Sequence, residues 1–146
     1  MKVSGACHCG AITIEGEADP ERVNICHCTD CQTGTGSAFR VSVPIPGAVF
    51  RMKGTPATYV KTTAESGNSR VQAFCGKCGS PLTYQHEQLP DEVHVLAGAL
   101  NDPASARPQA HIFVGEQLPW FEVADELPRY EQTRADGQPI RRGPRK

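Results

Sequence analysis

The motif CHCG at residues 7–10 and the motif CGKCG at residues 75–79 decide how this 146-residue chain folds. Each motif holds two closely spaced cysteines and places a glycine directly after the second one. In a strand, residues i and i+2 face the same side, and a two-residue gap between cysteines is common in zinc ribbons. Four thiolates complete a tetrahedral zinc site. We predict a structural zinc bound by the four cysteines of the two motifs, Cys7, Cys9, Cys75 and Cys78. The alternative for each motif is a pair of buried free thiols.

A third motif, CHCTDC at residues 26–31, supplies the cysteines Cys26, Cys28 and Cys31. Their spacing lets three sulfurs converge from the end of a strand and the turn that follows it. Three protein ligands leave the fourth position of a zinc ion to water or substrate, which is the arrangement of a catalytic site. We therefore predict two zinc ions per chain. In the alternative, this site is structural and one polar side chain supplies the fourth ligand. The candidates are His27, Asp30, His86, His94 and His111.

The spacing alone leaves open which cysteines share a metal, and an iron–sulfur cluster could use four of the seven. A zinc ion with several thiolate ligands is a weak Lewis acid, because sulfur donates charge to the metal. It still deprotonates a thiol that coordinates it. The three-cysteine motif therefore favours an enzyme that adds a thiol to a carbonyl group or catalyses the reverse reaction.

Length and composition favour one domain with a thin core. Hydrophobic residues make up 38% of the chain and aromatic residues only 6%, so we expect bound metal to contribute to folding. The formal net charge is −1, and the basic run RRGPRK is confined to the C-terminus. No stretch approaches the roughly 20 apolar residues of a membrane span. We predict neither nucleic-acid binding nor membrane binding.

The cysteine count and the N-terminus indicate the compartment. The first residues, MKVSGACHCG, contain no apolar run and do not resemble a signal peptide. Seven cysteines would leave one thiol outside a closed set of disulfides. A reduced, metal-binding, cytoplasmic protein is the prediction that follows.

Short strands dominate the pattern of apolar residues. The five segments that indicate strands are Ile12–Glu15, FRVSVP at 39–44, YVKTT at 59–63, EVHVLAG at 92–98 and HIFV at 111–114. With 14 glycines and 12 prolines, the chain is rich in turns. We predict a mainly β fold with short helical turns after Cys28 and over residues 101–106. Because the sequence turns polar and basic from Gln132, we divide the chain into a domain at 1–131 and an extension at 132–146.

Four stretches carry a resemblance to a known family. They are GACHCG at 5–10, CHCTDCQTGTGSAF at 26–39, SGNSRVQAFCGKCGSPLTY at 66–84, and the segment from HIFV at 111–114 through LPWFEVADELPRY at 118–130. On these motifs, residues 3 to about 130 resemble the glutathione-dependent formaldehyde-activating enzymes, also called the CENP-V/GFA family.

The resemblance implies a fold, an activity and two metal sites. The fold is a β-tent-like set of folded antiparallel sheets tied by zinc. The activity joins glutathione to formaldehyde, giving S-(hydroxymethyl)glutathione, and is classed as a carbon–sulfur lyase. The resemblance assigns the structural zinc to Cys7, Cys9, Cys75 and Cys78, and the catalytic zinc to Cys26, Cys28 and Cys31. The partner it implies is glutathione or its adduct. A non-catalytic, zinc-stabilised binding module of the same family is the alternative.

Several other residues gave weaker expectations. The stretch GTGS at 34–37 follows the third cysteine, and it is either an ordinary turn or a cradle for a carboxylate of the tripeptide. The family often has a basic residue after this cysteine, where Gln32 stands here. We expect Trp120 to be a packing residue, and His94 and His111 to be buried or partly buried rather than catalytic.

Overall fold

The computed structural model describes residues 1–62, 69–136 and 139–140. Within them, the chain forms ten strands in two sheets, one α-helix and six short 3₁₀ helices, so the prediction of a mainly β fold is confirmed. The strands are β1 Lys2–Ala6, β2 Thr13–Glu17, β3 Asn24–Cys26, β4 Arg40–Pro46, β5 Arg51–Lys53, β6 Ala57–Lys61, β7 Arg70–Phe74, β8 Pro81–His86, β9 Glu92–Leu96 and β10 Ala110–Ile112.

The helical segments are short. The α-helix is α1 Thr29–Thr35, and the 3₁₀ helices are Pro20–Arg22, Gly47–Val49, Ala97–Ala99, Pro103–Ser105, Val114–Glu116 and Arg134–Asp136. The helical turns expected after Cys28 and within residues 101–106 are therefore present. In the part of the chain that the structure describes, no helix has the length and apolar character needed to cross a membrane.

The chain divides into two compact units, and the first comprises residues 1–20 and 43–106. Its smaller sheet has the order β1-β2-β5, with both pairs antiparallel. Its other strands follow the order β9-β8-β7-β6, also antiparallel, and β4 is the next strand after β9 in the sheet order. The core of this unit consists of aliphatic side chains that solvent does not reach, namely Ile12, Ile14, Val43, Ile45, Leu82 and Val95.

The second unit comprises residues 21–42 and 107–146. In it, β3 pairs antiparallel with the first part of β4 and parallel with β10. The register places Cys26 opposite Arg40 and Ile25 opposite His111. Val23, His27, Cys31 and Ala110 are fully buried here, so the core of this unit contains polar and sulfur-bearing side chains as well as aliphatic ones.

The structure corrects some expectations about local structure. The five predicted strand segments correspond to β2, β4, β6, β9 and β10, but the pattern missed the other five strands. Cys7 and Cys9 do not lie in a strand, because β1 ends at Ala6 and residues 7–10 form a turn. Trp120 does not pack in a core, since 75% of its side chain is exposed. His94 and His111 are buried, as expected.

The C-terminal division stays a prediction. The basic run at 141–146 lies outside the described residues. Among the described ones, the Phe113 amide donates to the Gln132 carbonyl at 2.9 Å. The Arg134 guanidinium donates to the Glu21 carbonyl at 2.7 Å. The start of the segment 132–146 therefore makes specific contacts within the second unit.

Gly5 gives a test of the first unit. A Cβ atom at this position would overlap the carbonyl oxygen of Ala99 and lie 3.0 Å from its carbonyl carbon. Both are backbone atoms and cannot swing away, so we expect Gly5→Ala to lower the free energy of unfolding by about 1–3 kcal/mol. Urea unfolding followed by circular dichroism measures this difference.

Gly98→Ala is the matched control for this variant. Gly98 has no atom within 4 Å of the added Cβ and needs no left-handed backbone. We expect its unfolding curve to stay within about 0.5 kcal/mol of the original protein, as for surface substitutions elsewhere. Equal stability of the two variants would contradict the close backbone approach at Gly5.

Candidate metal centres

The first unit brings together four cysteine sulfurs, those of Cys7, Cys9, Cys75 and Cys78. All four sulfurs lie within 4.8 Å of one another. The Cys9 Sγ lies 3.6 Å from the Cys7 Sγ and 3.7 Å from the Cys75 Sγ. Four thiolates at about 2.3 Å from a tetrahedral zinc would be roughly 3.8 Å apart, so the cluster has the dimensions of such a site.

Two glycine turns shape this cluster. Gly10 and Gly79 each follow the second cysteine of a motif, and both adopt a positive φ, of 80° and 74°. Their amides donate to the carbonyls of Cys7 and Cys75, at 3.0 and 2.8 Å, which closes each turn. The shared glycine noted in the sequence therefore has a structural reason, because L-residues with a side chain rarely adopt this backbone conformation.

Hydrogen bonds to the sulfurs make the four thiols unequal. The Ser80 hydroxyl and amide lower the pKa of Cys78 to about 5. The Ala11 amide lowers the pKa of Cys9, but hydrogen bonding with Cys7 and burial outweigh it and raise this pKa to about 11. The Ile12 amide donates to the Cys7 sulfur at 3.2 Å. Neighbouring thiols thus hinder one another's ionisation, and a divalent cation would relieve that repulsion.

The second unit brings together the sulfurs of Cys26, Cys28 and Cys31, again within 4.8 Å of one another. Cys26 is the last residue of β3, Cys28 is the N-cap of α1, and Cys31 lies in the first turn of α1. The Cys28 Sγ lies 3.1 Å from the Cys31 Sγ and accepts a hydrogen bond from the Cys31 amide at 3.3 Å. The strand-to-helix junction therefore sets the geometry of the cluster.

The three sulfurs of this second cluster lie in an apolar setting. All three cysteines are buried, and the half-buried side chains of Ile112 and Phe113 pack against them. Phe113 has φ 53°, which makes it the one non-glycine residue with positive φ in the described part of the chain. Such a conformation costs about 1–3 kcal/mol and is found most often at functional sites.

Side chains of the second unit brace the start of α1. The Glu116 carboxylate accepts hydrogen bonds from the Thr29 amide at 3.2 Å and the Thr29 hydroxyl at 3.0 Å. The side-chain amide of Gln32 donates to the backbone carbonyls of His27 at 2.9 Å and Glu116 at 3.1 Å. Gln32 is therefore a structural tie across the cysteine motif.

The charges around the three sulfurs favour a bound cation. Hydrogen bonds with Cys26 and Cys31, together with the charge of the buried Arg40 guanidinium, lower the pKa of Cys28 to about 2. Hydrogen bonding with Cys26 lowers the pKa of Cys31, but hydrogen bonding with Cys28 and burial raise it to about 12. Without a cation, only one of these neighbouring thiols ionises readily. Soft thiolate donors in a three-sulfur cluster suit zinc.

The structure thus gathers the seven predicted cysteines into the two predicted sets. No histidine, aspartate, glutamate or further cysteine among the described residues completes the three-cysteine group. His27 points its ring to His111 and is not grouped with the sulfurs, while His86 and His94 belong to the first unit. The predicted coordination of zinc by these residues stays a prediction.

The GTGS stretch closes the helix instead of offering free amides. Gly36, at φ 66°, caps α1, and its amide donates to the Gln32 carbonyl at 2.9 Å. The Ser37 amide donates to the Thr35 hydroxyl at 3.2 Å. These amides lie at the C-terminal end of the helix, where the helix dipole disfavours anions. The interpretation as an ordinary turn is the better one.

Sequence reasoning missed two residues that act on or around the three-cysteine cluster, Arg40 and Asp125, and it did not connect His111 with Asp125. Arg40 is the first residue of β4, a strand whose other residues are mostly apolar. A charged side chain at such a buried position indicates a nearby anionic group. The partnership of His111 with Asp125 had no local signal, because 14 residues separate them. Arg40 is placed by the register of β3 with β4, and Asp125 is reached through its contact with His111 in β10, the strand that pairs with β3.

A family model and a curated relative point to one family, and a solved structure shares the fold. The family model described as "Glutathione-dependent formaldehyde-activating enzyme" matches residues 2–116. A Halomonas elongata protein that carries this enzyme name provisionally is 24% identical over 128 residues, which is 84% of this chain and 82% of that protein. A crystal structure of a Rhodobacter sphaeroides protein aligns with TM-score 0.55 and 24% identity, and it covers 67% of this chain and 87% of that one.

Metal content gives a direct test of both clusters. We expect about two zinc ions per chain by elemental mass spectrometry after expression in zinc-supplemented medium. Because the four-cysteine cluster ties residues 7–9 to residues 75–78, Cys75→Ser should abolish soluble folded protein. Cys28→Ser should leave a folded protein that retains one zinc.

The two cysteine variants control for each other. If Cys28→Ser unfolds the protein as Cys75→Ser does, the three-cysteine centre is structural. If the original protein holds only one zinc per chain, the second centre is not a zinc site. Circular dichroism of each variant distinguishes loss of metal from loss of fold.

Proposed function

This chain belongs to the glutathione-dependent formaldehyde-activating enzyme family, and on that premise we propose that it is a zinc-dependent carbon–sulfur lyase. The substrate would be glutathione or a similar small thiol, and the second substrate formaldehyde or a similar small carbonyl compound. The observation that carries the proposal is the group of three buried cysteines in the second unit, which has no fourth ligand among the described residues. A substrate thiol is the group that would complete it.

The proposed reaction is an addition with no change of redox state. A bond forms between the thiol sulfur and the carbonyl carbon, and the electron pair of the C=O π bond moves to oxygen. The proton released by the thiol is matched by the proton that the oxygen acquires. With glutathione and formaldehyde, the product is S-(hydroxymethyl)glutathione, and the reverse reaction breaks the same carbon–sulfur bond.

The metal would be held by Cys26, Cys28 and Cys31 and, when bound, would lower the pKa of a coordinating thiol so that it reacts as a thiolate. The residues of the chain do the rest. The β3–α1 junction fixes the three sulfurs, and Ile112 and Phe113 exclude water from one side of them. A low-dielectric setting strengthens every charge interaction within it.

Arg40 supports an anionic substrate group at this centre. Three thiolates and one divalent cation carry a single net negative charge, so a fourth thiolate would add a second charge in a buried place. The Arg40 guanidinium is itself buried. Its charge helps to lower the pKa of Cys28, and at Cys31 it opposes the larger effects that raise the pKa. Arg40 therefore offsets the charge that a substrate thiolate would bring.

Thiolate chemistry requires cysteines that stay reduced. All seven cysteines of the chain are free thiols. We propose that the protein works in a reducing compartment such as the cytoplasm, where thiols persist and glutathione is abundant.

Glutathione binding tests the substrate assignment. In protein loaded with Co(II) in place of zinc, we expect reduced glutathione to change the sulfur-to-metal charge-transfer spectrum. S-methylglutathione, which lacks the thiol, is the matched control and should leave the spectrum unchanged. In the second step, ¹³C-formaldehyde and glutathione are mixed with the zinc protein, and NMR follows the rate at which S-(hydroxymethyl)glutathione forms.

The outcomes separate the two classes of function. A spectral change with glutathione and a faster formation of the adduct support the lyase. A spectral change without faster adduct formation leaves a thiol-binding protein with another carbonyl substrate. If glutathione has no effect on the spectrum, the glutathione assignment is wrong. If, in addition, other small thiols have no effect, a non-catalytic zinc-stabilised module is the better description.

Substitution of Arg40 tests the electrostatic part of the proposal. We expect Arg40→Met to raise the Kd for glutathione at the Co(II)-loaded centre about tenfold or more, which corresponds to about 1.4 kcal/mol. Arg40→Lys keeps the charge and should recover most of the affinity. Equal affinities of the Met and Lys variants would show that the charge of Arg40 does not act on the bound thiol.

A further inference from the structure

Three polar side chains of the second unit form a hydrogen-bonded chain that ends at His27, the central residue of the CHC motif at residues 26–28. An Asp125 carboxylate oxygen lies 2.9 Å from His111 Nε2, and His111 Nδ1 lies 2.8 Å from His27 Nε2. The two imidazole rings meet edge to edge, with centroids 5.1 Å apart and planes 18° from parallel. Both histidines are fully buried.

The chemistry of the three groups sets the direction of these hydrogen bonds. An ionised carboxylate only accepts hydrogen bonds, so His111 Nε2 donates to Asp125. A neutral imidazole that donates from one nitrogen accepts at the other, so His111 Nδ1 accepts from His27 Nε2. Asp125 thereby determines the tautomer of both rings, although it contacts only the first.

Asp125 is held in place and kept ionised. Its other carboxylate oxygen accepts a hydrogen bond from the Leu127 amide at 3.0 Å and lies 3.3 Å from the Arg129 guanidinium. Burial raises the pKa of Asp125, but the hydrogen bonds from His111 and Leu127 outweigh it and lower this pKa below its usual value. The backbone of His111 is fixed by the same segment, through the Pro128 carbonyl and the Tyr130 amide, both at 2.9 Å.

The backbone of His27 is fixed as firmly as its ring. Its amide donates to the Ile112 carbonyl at 3.1 Å, and its carbonyl accepts from the Gln32 side chain at 2.9 Å. Cys26 and Cys28 are its two neighbours in the chain. A rotation of residue 27 would therefore move both flanking sulfurs relative to each other.

From this geometry we propose that Asp125 is a positioning residue for the three-cysteine centre, and that it acts through His111 and His27 to fix the orientation of the CHC motif. The proposal deepens the proposed function, since it rests on metal binding at that centre. It assigns to the segment 125–130, which carries none of the seven cysteines, the role of outer support for the site. Groups in such positions orient the ligands of a metal, and their removal typically lowers metal affinity 10–100-fold.

The proposal predicts a loss of affinity at one centre only. In Asp125→Ala, we expect Co(II) or zinc to bind the three-cysteine centre 10–100-fold more weakly, in competition with a chromophoric chelator. The four-cysteine centre, in the other unit, should keep its affinity and is the internal control. Asp125→Asn retains an oxygen that accepts from His111 and should recover much of the lost affinity.

A spectroscopic readout separates positioning from general stabilisation. We expect ¹⁵N-edited NMR of the histidine rings to show His27 and His111 protonated at Nε2 in the original protein. In Asp125→Ala, both rings should become mixtures of tautomers. Glu126→Ala is the matched control, because Glu126 directly follows Asp125 in the chain but is exposed to solvent. This variant should change neither the metal affinity nor the histidine tautomers.

Each outcome decides the matter. Unchanged affinity of the three-cysteine centre in Asp125→Ala overturns the proposal, and so does an equal weakening of both centres, since that is a general loss of stability. If the original protein binds no metal at the three-cysteine centre, both this proposal and the proposed function are wrong. If it binds metal but neither glutathione nor another small thiol, the proposed function alone is wrong, and the Asp125 variants still test the positioning role.

Discussion

Crowding of thiols is the constraint on which the structure depends. Seven cysteines lie in two groups whose sulfurs are within 4.8 Å of one another, and in each group some thiols have a raised pKa because their neighbours ionise first. A divalent cation is the simplest way to hold several thiolates at this distance. In the first unit, such a cation would also join Cys9 and Cys75, which are 66 residues apart. Clips that close long loops restrict the unfolded chain, so one ion could stabilise a unit whose aliphatic core is small.

The same donor atoms form two different groups because their backbones differ. The four-cysteine cluster is built from two glycine turns, each closed by an amide-to-carbonyl hydrogen bond. The three-cysteine cluster is built from a strand end and a helix cap, which brings the Cys31 amide to the Cys28 sulfur. Turns supply ligands in pairs, and two pairs close a tetrahedron. A strand-to-helix junction supplies three sulfur ligands, so a fourth ligand would have to come from a group outside the cluster.

Much of this could be predicted from sequence. The mainly β fold and the helical turn after Cys28 follow from local patterns, and the family resemblance selected the two cysteine sets, which the spacing alone had left open. Strand β1 was missed because Gly5 occupies an inward position, where a close backbone approach to Ala99 replaces the apolar side chain that a pattern would show. Arg40 and Asp125 were missed for another reason. Their roles depend on the register of β3 with β4 and β10, and register is a long-range property that spacing does not encode.

Burial explains why the second centre would take its fourth ligand from outside. In the four-cysteine cluster, Cys9 and Cys78 are exposed, so water screens the two net negative charges that four thiolates and one divalent cation carry. The three cysteines of the other cluster are all buried, and the buried cation that acts on them is Arg40. A permanent fourth thiolate would need a second compensating charge in the free protein. A substrate thiolate would add its charge only while it is bound. When its sulfur forms a bond to carbon, the charge passes to the carbonyl oxygen and is neutralised when that oxygen takes a proton. The charge balance of a three-cysteine centre with one arginine would therefore suit the proposed function, in which a sulfur arrives, reacts and leaves.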